Sequence, residues 1–581
     1  MEDQRDSPSS RDSDPALVPN SPRKPGGWNA IAFILGNESF EKLASMSLIA
    51  NITVYLRTKY NMEGIELVNV VSIWSGSSNI TTLAGAFLSD AYLGRFLTLL
   101  FGSISSFLGM GMVALTAGIP DLRPTPCEGE PNCPESQSWQ LAFLFSGLAL
   151  LAIGSGGIRP CNIAFGADQF DTKTEKGRSQ LKSFFNWWYF SFTLALLVAL
   201  TGVVYIQTNV SWVLGFAIPT GCFAVSILIF LLGHHVYIYM KPQGSVFVDI
   251  AKVISAARKK SKLTLSPDSE FYNPNPIESD QQVVTMLART NRFKCFDKAA
   301  LIVDPSELNP EGVPNDNWSL CSIQQVERLK CLVGVVPVWF TAIACFVSMD
   351  QMNTLGILQA IQSNTLIHNF KVPPGWLGLT SMIALATWIF IYECLYIPFR
   401  QRTTKRDDVR LSTKHKIRIG IVMSILCMLV AGFMERKRRE AAIAHHSFIS
   451  PVSITVLLPQ FVLSGLLEAF AAVAIMEFFN NQFPESMRSV AGSVFFLSLS
   501  MASYLNSVIV NLVHELSGRG GKEPWLGGHD LNTNKLDYFY FLIAGLGVIN
   551  FMYFNFFASH YVFTDLSTRT EKSESSNESS S

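Results

Sequence analysis

The stretch IVMSILCMLVAGFM, at residues 421–434, contains no charged residue. A second stretch, YFYFLIAGLGVINFMYFNFFA at 538–558, is longer and also free of charge. With their flanks, both runs are long enough for a helix that crosses the hydrocarbon core of a bilayer. The sequence therefore predicts a membrane protein with several spanning helices.

The composition separates this chain from soluble and nucleic-acid-binding proteins. Of its 581 residues, 49% are hydrophobic and 15% are charged, and the formal net charge is zero. A chain without a basic excess lacks the electrostatic signature of a nucleic-acid binder, so the expected partner is the lipid bilayer and not a nucleic acid. The ten cysteines show no metal-ligand spacing, and no metal or other cofactor is expected. Cys127 and Cys133 share one loop, where the sequence is compatible with a disulfide and with two free thiols.

Twelve spanning helices are predicted from the apolar runs, with boundaries accurate to a few residues. They cover residues 28–57, 65–89, 96–118, 138–163, 183–206, 212–240, 329–355, 373–399, 413–434, 451–480, 487–514 and 536–562. Six spans, a long polar segment and six more spans predict an all-α membrane protein with the 6+6 arrangement of the major facilitator fold.

This arrangement divides the chain into five parts. Two six-helix bundles are joined by a cytoplasmic central loop and flanked by two disordered cytoplasmic tails. The N-terminal tail, first bundle, central loop, second bundle and C-terminal tail cover residues 1–27, 28–240, 241–328, 329–563 and 564–581. Within the central loop, FVDIAKVISAARKKSKL predicts an amphipathic helix with a basic end. A solvated helix beside the membrane surface is favoured there over a partner-binding element.

Basic residues in the connections predict the orientation in the membrane. The segment between spans 8 and 9, FRQRTTKRDDVRLSTKHKIR, carries eight of them, and the 4–5 connection and the central loop are also basic. With an even number of spans, these segments lie on the side of both termini, which is therefore predicted to be cytoplasmic. The segment MERKRREAAIAHH is an exception, because it carries four basic residues and falls on the outer side.

Three ionisable residues lie deep in the first span. In GNESFEKLASMS, residues 36–47, Glu38 is three positions from Glu41 and four from Lys42, so all three share one helical face. Charges at this depth should face a polar cavity or one another. The lysine would stabilise one carboxylate, while the second would exchange protons during transport. The alternative is a structural salt-bridge cluster that holds helices together.

Further polar residues in the spans support a cavity. Arg159 follows a glycine-rich part of span 4, and Glu468 is the acid deep within span 10. Because they lie in opposite halves, an ion pair between them could act as a gate. Asp350, nearer the outer end of span 7, is predicted to line the cavity or to act as a gate.

Several motifs resemble those of the plant nitrate/peptide transporter family, within the proton-coupled oligopeptide transporter superfamily. The similarity covers nearly everything from Trp28 to Phe563. It is carried by Glu-x-x-Glu-Lys at 38–42, GAFLSDAYLGRFLT at 85–98, GGIRPCNIAFGADQFD at 156–171, FFNWWYFSF at 184–192 and EAFAAVAIMEFF at 468–479, followed by PESMRSVAG.

The resemblance implies the major facilitator fold, proton-driven symport and alternating access. By position, Glu38, Glu41 and Lys42 would couple protons to uptake. Arg159 matches a position that usually holds lysine, and Glu468 matches the span-10 acid that pairs with it or contacts substrate. Thr98 matches a threonine that is phosphorylated in a nitrate-transporting member, which implies a kinase as partner; an ordinary polar residue near a helix start is the alternative.

Two departures from the family pattern bear on the substrate. After its aromatic stretch, span 5 reads SFTLALLV, without the Asn and Gly of the superfamily pattern, which argues against dipeptides. The nitrate-binding histidine of span 7 is absent, with Met349 near the aligned position. The overall pattern is most similar to the branch of low-affinity nitrate transporters and of glucosinolate and other glycoside carriers. Aromatic and amide side chains such as Trp188 and Asn506 would contact a sugar, although lipid-facing or core positions are the alternative.

The sequence therefore predicts a proton-coupled symporter of the plasma membrane, driven by the proton gradient. Its expected substrate is an organic anion, a glycosylated metabolite of the glucosinolate or flavonoid type, or nitrate. A low-affinity transporter of nitrate only is the alternative, and a transporter-like sensor of a nutrient or hormone is the alternative from another class. An enzyme is not expected, since no HExxH, no GxSxG and no metal-type cysteine pair is present. The sequence leaves the oligomeric state open.

Overall fold

The structure is a computed structural model of the chain. It describes residues 26–125, 127, 133–171, 174–240, 246–263, 270–273, 287, 289–310, 312–404, 410–483, 487–521 and 523–563. The predicted C-terminal tail and residues 1–25 of the predicted N-terminal tail lie outside these residues.

Helices dominate the described residues. They are α1 (Gly27–Lys59), α2 (Gly64–Leu88), α3 (Gly94–Gly118), α4 (Ser138–Ala167), α5 (Glu175–Val198), α6 (Trp212–Leu232), α7 (Val246–Lys259), α8 (Ile323–Gln351), α9 (Ile357–Ile361), α10 (Trp376–Ile391), α11 (Ile397–Thr404), α12 (Thr413–Ala444), α13 (Leu458–Leu467), α14 (Val473–Gln482), α15 (Arg488–Gly518) and α16 (Leu536–Phe556). Short π-helical segments join α8 to α9, α10 to α11 and α13 to α14. Two short strand pairs lie between the helices: β1 (Ser363–Asn364) is parallel to β4 (Ser450–Ser453), and β2 (Leu366–Ile367) is antiparallel to β3 (Phe370–Lys371).

The helices account for the twelve predicted spans. Over the described part of the chain, ten helical runs are long and apolar enough to cross a membrane. One of them, Gly64–Gly118, has 55 residues and contains two spans, because Gly94 adopts a φ of +75° that ends one helix and lets the chain turn into the next. The twelfth span is α1, which is outside this set and carries the three charged residues of the GNESFEK motif.

The spans form two groups. Helices α1–α6, here called the N-terminal half, pack mainly on one another, and helices α8–α16, the C-terminal half, do the same. Across the boundary, the main contact is between α2 and α15. This is the predicted all-α architecture with a 6+6 arrangement.

Glycines let α4 approach both α2 and α3 very closely. A Cβ atom added at Gly85 of α2 would lie 1.9 Å from the carbonyl oxygen of Gly156, and one added at Gly157 would lie 2.6 Å from the carbonyl oxygen of Thr98. No real side chain fits at such distances, so backbone packs directly on backbone. The close packing predicted from the glycine-rich part of span 4 is present, and it fixes the position of Arg159, two residues beyond Gly157.

The segment of the central loop that was predicted to be an amphipathic helix forms α7. Its Val253 and Ala256 are fully buried, in a small core that also contains Val326 and Leu329 of α8. At the start of α8, Lys330 forms ion pairs with Asp297 at 2.5 Å and with Glu327 at 2.8 Å. These contacts attach the described part of the central loop to the C-terminal half. The apolar face of α7 therefore packs against protein.

The loop between α3 and α4 contains a disulfide. Cys127 and Cys133 are bonded to each other, with their Cα atoms 5.5 Å apart. The two cysteines therefore form a disulfide, which is one of the two states that the sequence left open.

The segment MERKRREAA, predicted as a loop after span 9, is instead helical and extends α12 to Ala444. Two of its charged side chains, Glu435 and Arg438, are 0% exposed and pair at 2.8 Å. Gln359 donates to Glu435 at 2.9 Å and Arg438 donates to Asn532 at 2.9 Å. One of the four basic residues that depart from the positive-inside pattern, Arg438, is therefore buried and paired with Glu435 inside the protein.

We predict that Arg438→Met strongly destabilises the fold, because it leaves the Glu435 carboxylate buried without its cation. The expected loss is about 3–5 kcal/mol of unfolding free energy, which thermal unfolding in detergent would show as a lowered Tm. Arg436→Gln is the matched control, since its ion pair with Glu440 is exposed and should contribute about 1 kcal/mol or less. Equal Tm values for the two variants would contradict a structural role for the buried pair.

Candidate functional site

The three charged residues of α1 form one buried cluster. Glu38, Glu41 and Lys42 are 0%, 4% and 8% exposed. The Lys42 ammonium lies 3.0 Å from Glu41 and 3.7 Å from Glu38. Asn162 of α4 donates a hydrogen bond to the Glu38 carboxylate. One lysine thus contacts two carboxylates, as the spacing on one helical face predicted.

A second cation lies beside this cluster. Arg159, on α4, donates from Nη1 to Asn79 of α2 at 2.7 Å. It also interacts electrostatically with Glu41 and with Lys42. Two carboxylates and two cations therefore meet where α1, α2 and α4 pack, and their formal charges cancel.

A central cavity of about 280 Å³ lies next to the cluster, between the two halves. Both halves contribute side chains that can bind a polar molecule. From the N-terminal half these include Thr53, Trp74, Ser75, Ser78 and Arg159, and from the C-terminal half Met349, Asp350, Asn353, Ser464 and Glu468. The structure thus brings Arg159, Met349, Asp350 and Glu468 to one cavity.

The predicted gate between Arg159 and Glu468 is not formed in this conformation. Arg159 is bonded to Asn79 instead, and no ion pair joins the two residues in the part of the chain that the structure describes. Glu468 begins the π-helical segment Glu468–Ala472, between α13 and α14. Such π turns occur often at functional sites because they alter the direction of side chains. The gate remains a prediction for another conformation.

Asp350 connects the two halves through hydrogen bonds. Its carboxylate accepts from Ser72 of α2 at 3.0 Å, and from Ser503 and Asn506 of α15 at 3.2 and 2.6 Å. Asn506 also donates to Ser72 at 3.0 Å. Asn506, predicted to contact substrate, is therefore fully buried in this seam and does not line the cavity.

More hydrogen bonds continue the seam between α2 and α15. Ser500 donates to the carbonyl of Gly76 at 2.8 Å, and Asn511 donates to Asn69 at 2.8 Å. From the last turn of α1, Arg57 donates to the carbonyl oxygen of His529. Burial, and then the neighbouring Arg57 charge, lower the pKa of the His529 imidazole and so favour its neutral form beside the guanidinium.

These bonds lie between the middle of α2 and the membrane face at which α1 ends and α2 begins, which we call the closed face. Other bonds between the halves, such as Thr53 to the carbonyl of Asn353 at 3.2 Å, lie on the same side of the cavity. Among the described residues, ion pairs do not join the two halves at either face, and the hydrogen bonds between the halves named above all lie on this side of the cavity or at its level. The structure therefore represents a state in which the cavity is sealed from the closed face.

Two predicted site residues lie elsewhere. Trp188 of α5 stacks on Phe192, with ring centroids 5.6 Å apart, and does not line the cavity. Thr98 is 5% exposed and donates to the carbonyl of Gly94 at 2.9 Å. A kinase could reach this hydroxyl only after local opening of α3, so its phosphorylation remains a prediction.

Among the site residues that sequence reasoning missed are three that bond to the charged groups, Ser72, Asn79 and Asn162. Each is an uncharged polar residue in an apolar span, and each bonds to a charged residue. Their positions carry a weak signal: Asn162 lies one helical turn from Arg159, and Asn79 lies two turns from Ser72. Small polar residues are too common in spans for this spacing alone to identify a site.

Comparison with known proteins identifies the family. The model of the POT family, PTR2, matches residues 96–526. The chain belongs to the POT family. It is 57% identical over 543 residues to Protein NRT1/PTR FAMILY 2.8 of Arabidopsis thaliana, covering 93% of this chain and 96% of that protein. Protein NRT1/PTR FAMILY 2.13 of the same plant is 44% identical over 548 residues, covering 93% and 87%.

Solved structures show the same fold. The POT family transporter PepTSo aligns with a TM-score of 0.65 at 18% identity, covering 94% of this chain and 100% of that one. An auto-inhibited POT family peptide transporter aligns with a TM-score of 0.66 at 16% identity, covering 92% and 98%. The major facilitator fold is thereby confirmed. As a POT family member, the protein is a membrane transporter that carries small molecules with protons, and it is not an enzyme.

We predict that Asp350→Ala weakens the seal at the closed face. It removes the acceptor of three hydrogen bonds, and a hydrogen bond to a charged group contributes about 1.5–3 kcal/mol, or about tenfold or more in the open population. The readout is the rate at which a membrane-impermeant maleimide, added at the closed face, labels a Ser78→Cys probe in the cavity. The same chain without the probe gives the background.

Asp121→Ala is the matched control, because Asp121 is an exposed acid near the same face. Its labelling rate should equal that of the chain carrying the probe alone. An unchanged rate in Asp350→Ala would show that Asp350 does not hold the seam closed.

Proposed function

We propose that this POT family transporter is a proton-coupled symporter that imports an organic anion, a glycosylated metabolite or nitrate by alternating access. The observation that carries this proposal is the buried Glu38–Glu41–Lys42 cluster beside a cavity that both halves line. A charged cluster that only held helices together would not need to lie next to a substrate-sized cavity. The cavity volume, about 280 Å³, lies near the lower end of the usual range for small-molecule sites.

The cluster can couple protons because Lys42 lies at different distances from the two carboxylates. Lys42 is closer to Glu41 than to Glu38, so it neutralises Glu41 more strongly. Glu38 is bonded to the neutral amide of Asn162 and is fully buried. Buried carboxylates bind protons more readily than exposed ones. We assign proton loading to one acid of this pair, Glu38 or Glu41, while Lys42 holds the other as an anion.

Arg159 links the protonation of the cluster to the cavity. Its guanidinium interacts with Glu41 and also lines the cavity. A proton on the cluster would leave Arg159 more strongly attractive to an anion, or to Glu468 when no anion is bound. Movement of Arg159 from Asn79 toward Glu468 would then draw the two halves together on the side opposite the closed face.

The cavity chemistry favours an anionic or hydroxylated substrate. Arg159 supplies a positive charge, the Trp74 indole an aromatic surface, and Thr53, Ser78 and Asn353 supply hydroxyl and amide groups. Solved POT family structures include complexes with sulfate and with 5-aminolevulinic acid, which shows that the fold accepts anions and small zwitterions. Transport of nitrate only is the second candidate, favoured by the same arginine; Met349 at the cavity would then replace the familiar histidine as a non-polar wall.

The orientation that we propose places both termini in the cytoplasm and the closed face outside the cell. The Cys127–Cys133 disulfide supports it, since this loop follows α3 at the closed face and disulfides persist in oxidising compartments. The basic connections on the opposite face agree with the positive-inside rule. We place the protein in the plasma membrane. In this orientation the structure is sealed from the outside, so substrate would leave toward the cytoplasm.

The test of the substrate class is uptake at acidic external pH by oocytes that express the chain. The panel comprises nitrate, dipeptides, glucosinolates and flavonoid glycosides. Accumulation of a glycoside or an organic anion above its external concentration is the expected result. Uptake of nitrate alone would establish the second candidate, and uptake of dipeptides alone would overturn the proposal.

We predict that Glu41→Gln abolishes uphill accumulation while the protein still folds and reaches the membrane. Glutamine keeps the shape but removes one carboxylate of the pair. The cluster can then no longer hold one acid as an anion while the other exchanges a proton, so substrate should equilibrate without concentrating. The measurement is accumulation in proteoliposomes with and without an imposed pH gradient. Glu393→Gln is the control, because Glu393 is a half-exposed membrane-helix acid paired with Arg410, and it should accumulate substrate normally. Full accumulation by Glu41→Gln would remove Glu41 from the coupling mechanism.

A further inference from the structure

A second and larger space lies outside the central cavity. A groove of about 920 Å³ runs along the surface between α2, α4 and α15, at the closed face. Its walls are mainly apolar, and the side chains of Ile73, Phe145 and Ile153 are 49%, 39% and 58% exposed. Apolar side chains exposed on a spanning helix face the hydrocarbon of the bilayer, so the groove opens into the membrane.

One end of the groove is acidic. Glu63 and Glu66, at the beginning of α2, line it where the helix reaches the membrane surface. Within the described ranges, neither carboxylate forms an ion pair. Arg57 interacts electrostatically with Glu63, but its guanidinium is bonded to the carbonyls of Met62 and His529. The groove thus combines an apolar length with an end that carries two carboxylates, neither of which forms an ion pair within the described residues.

The floor of the groove crosses the seam between the two halves. Asn69 of α2 and Asn511 of α15 both line it and bond to each other at 2.8 Å. His514 and Gly527 line it from the C-terminal half, and Phe145 and Ala149 from the N-terminal half. Separation of α2 from α15 would therefore divide the groove. Its complete form exists only while the closed face is closed.

We propose that the groove binds a membrane phospholipid with a primary-amine headgroup, and that this lipid stabilises the closed face. The acyl chain would lie against Ile73, Phe145 and Ile153, and the ammonium group would lie between Glu63 and Glu66. An ammonium with N–H donors matches carboxylates at the membrane surface, whereas an anionic headgroup is repelled there. A water-soluble ligand would leave the apolar walls exposed to lipid and gains nothing from them.

Stabilisation of the closed face rests on the alternating access proposed above, because the lipid can favour only the state in which its site is complete. Lipid retention itself does not depend on uptake of any substrate. The two proposals can therefore fail separately.

The test is lipid retention by the purified full chain, measured by native mass spectrometry after incubation with phosphatidylethanolamine, phosphatidylcholine or phosphatidylglycerol of the same acyl composition. We expect phosphatidylethanolamine to be retained about twofold to fivefold more than phosphatidylglycerol, the ratio that one or two weakly screened ion pairs produce. The double variant Glu63→Gln with Glu66→Gln should lose this preference. Ala149→Trp, which fills the groove, should lower retention of all three lipids.

Glu515→Gln is the matched control, because Glu515 is exposed near the same end of α15 but does not line the groove; it should keep the preference. A second readout is labelling of the Ser78→Cys probe from the closed face, which phosphatidylethanolamine should slow in vesicles. Equal retention of the three lipids, or the same preference in the double glutamine variant, would overturn the proposal. Selective retention without slower labelling would overturn the stabilisation of the closed face and leave the lipid site standing.

Discussion

The central constraint on this protein is the cost of placing charge inside a membrane. A charged side chain at the centre of a bilayer costs about 2.5 kcal/mol or considerably more, and α1 and α4 together carry four such groups. The structure meets this cost by grouping Glu38, Glu41, Lys42 and Arg159 so that their charges cancel. The glycine-rich packing of α4 on α2 accompanies the contact between Arg159 and Asn79, and on the same helix Asn162 donates to Glu38 of the cluster.

The two halves are joined and stabilised by different kinds of interaction. Inside the C-terminal half, Glu435 and Arg438 form a fully buried ion pair, and breaking such a pair is strongly unfavourable. Across the seam, hydrogen bonds from serine and asparagine side chains predominate, with Asp350 as the charged acceptor. Each neutral hydrogen bond contributes only about 0.5–1.5 kcal/mol. Rigid halves that meet through individually weak bonds can separate without unfolding, as alternating access requires.

Much of the architecture was predictable because it follows from hydrophobicity along the chain. The twelve spans, the α7 helix and the shared face of Glu38, Glu41 and Lys42 all depend on local periodicity. The failures concern residues whose role depends on a distant partner. The helical continuation through Glu435 and Arg438 could not be predicted, since the partner of Glu435, Gln359, and the partner of Arg438, Asn532, lie far away in sequence. Likewise, packing between helices sets the pairing of Asn506 with Asp350 and places the partly buried Trp188 among aromatic rings.

The π turn at Glu468 gives the chain a local way to change the direction in which this carboxylate points. A π turn accommodates one extra residue within a helix that is otherwise α-helical, and each residue of an α-helix turns about 100° around the axis. If the extra residue moved by one position along the chain, Glu468 would rotate by about that angle while the ends of α13 and α14 stayed in place. The acid could therefore turn toward or away from the cavity by a local change of winding, independently of any tilt of the whole half.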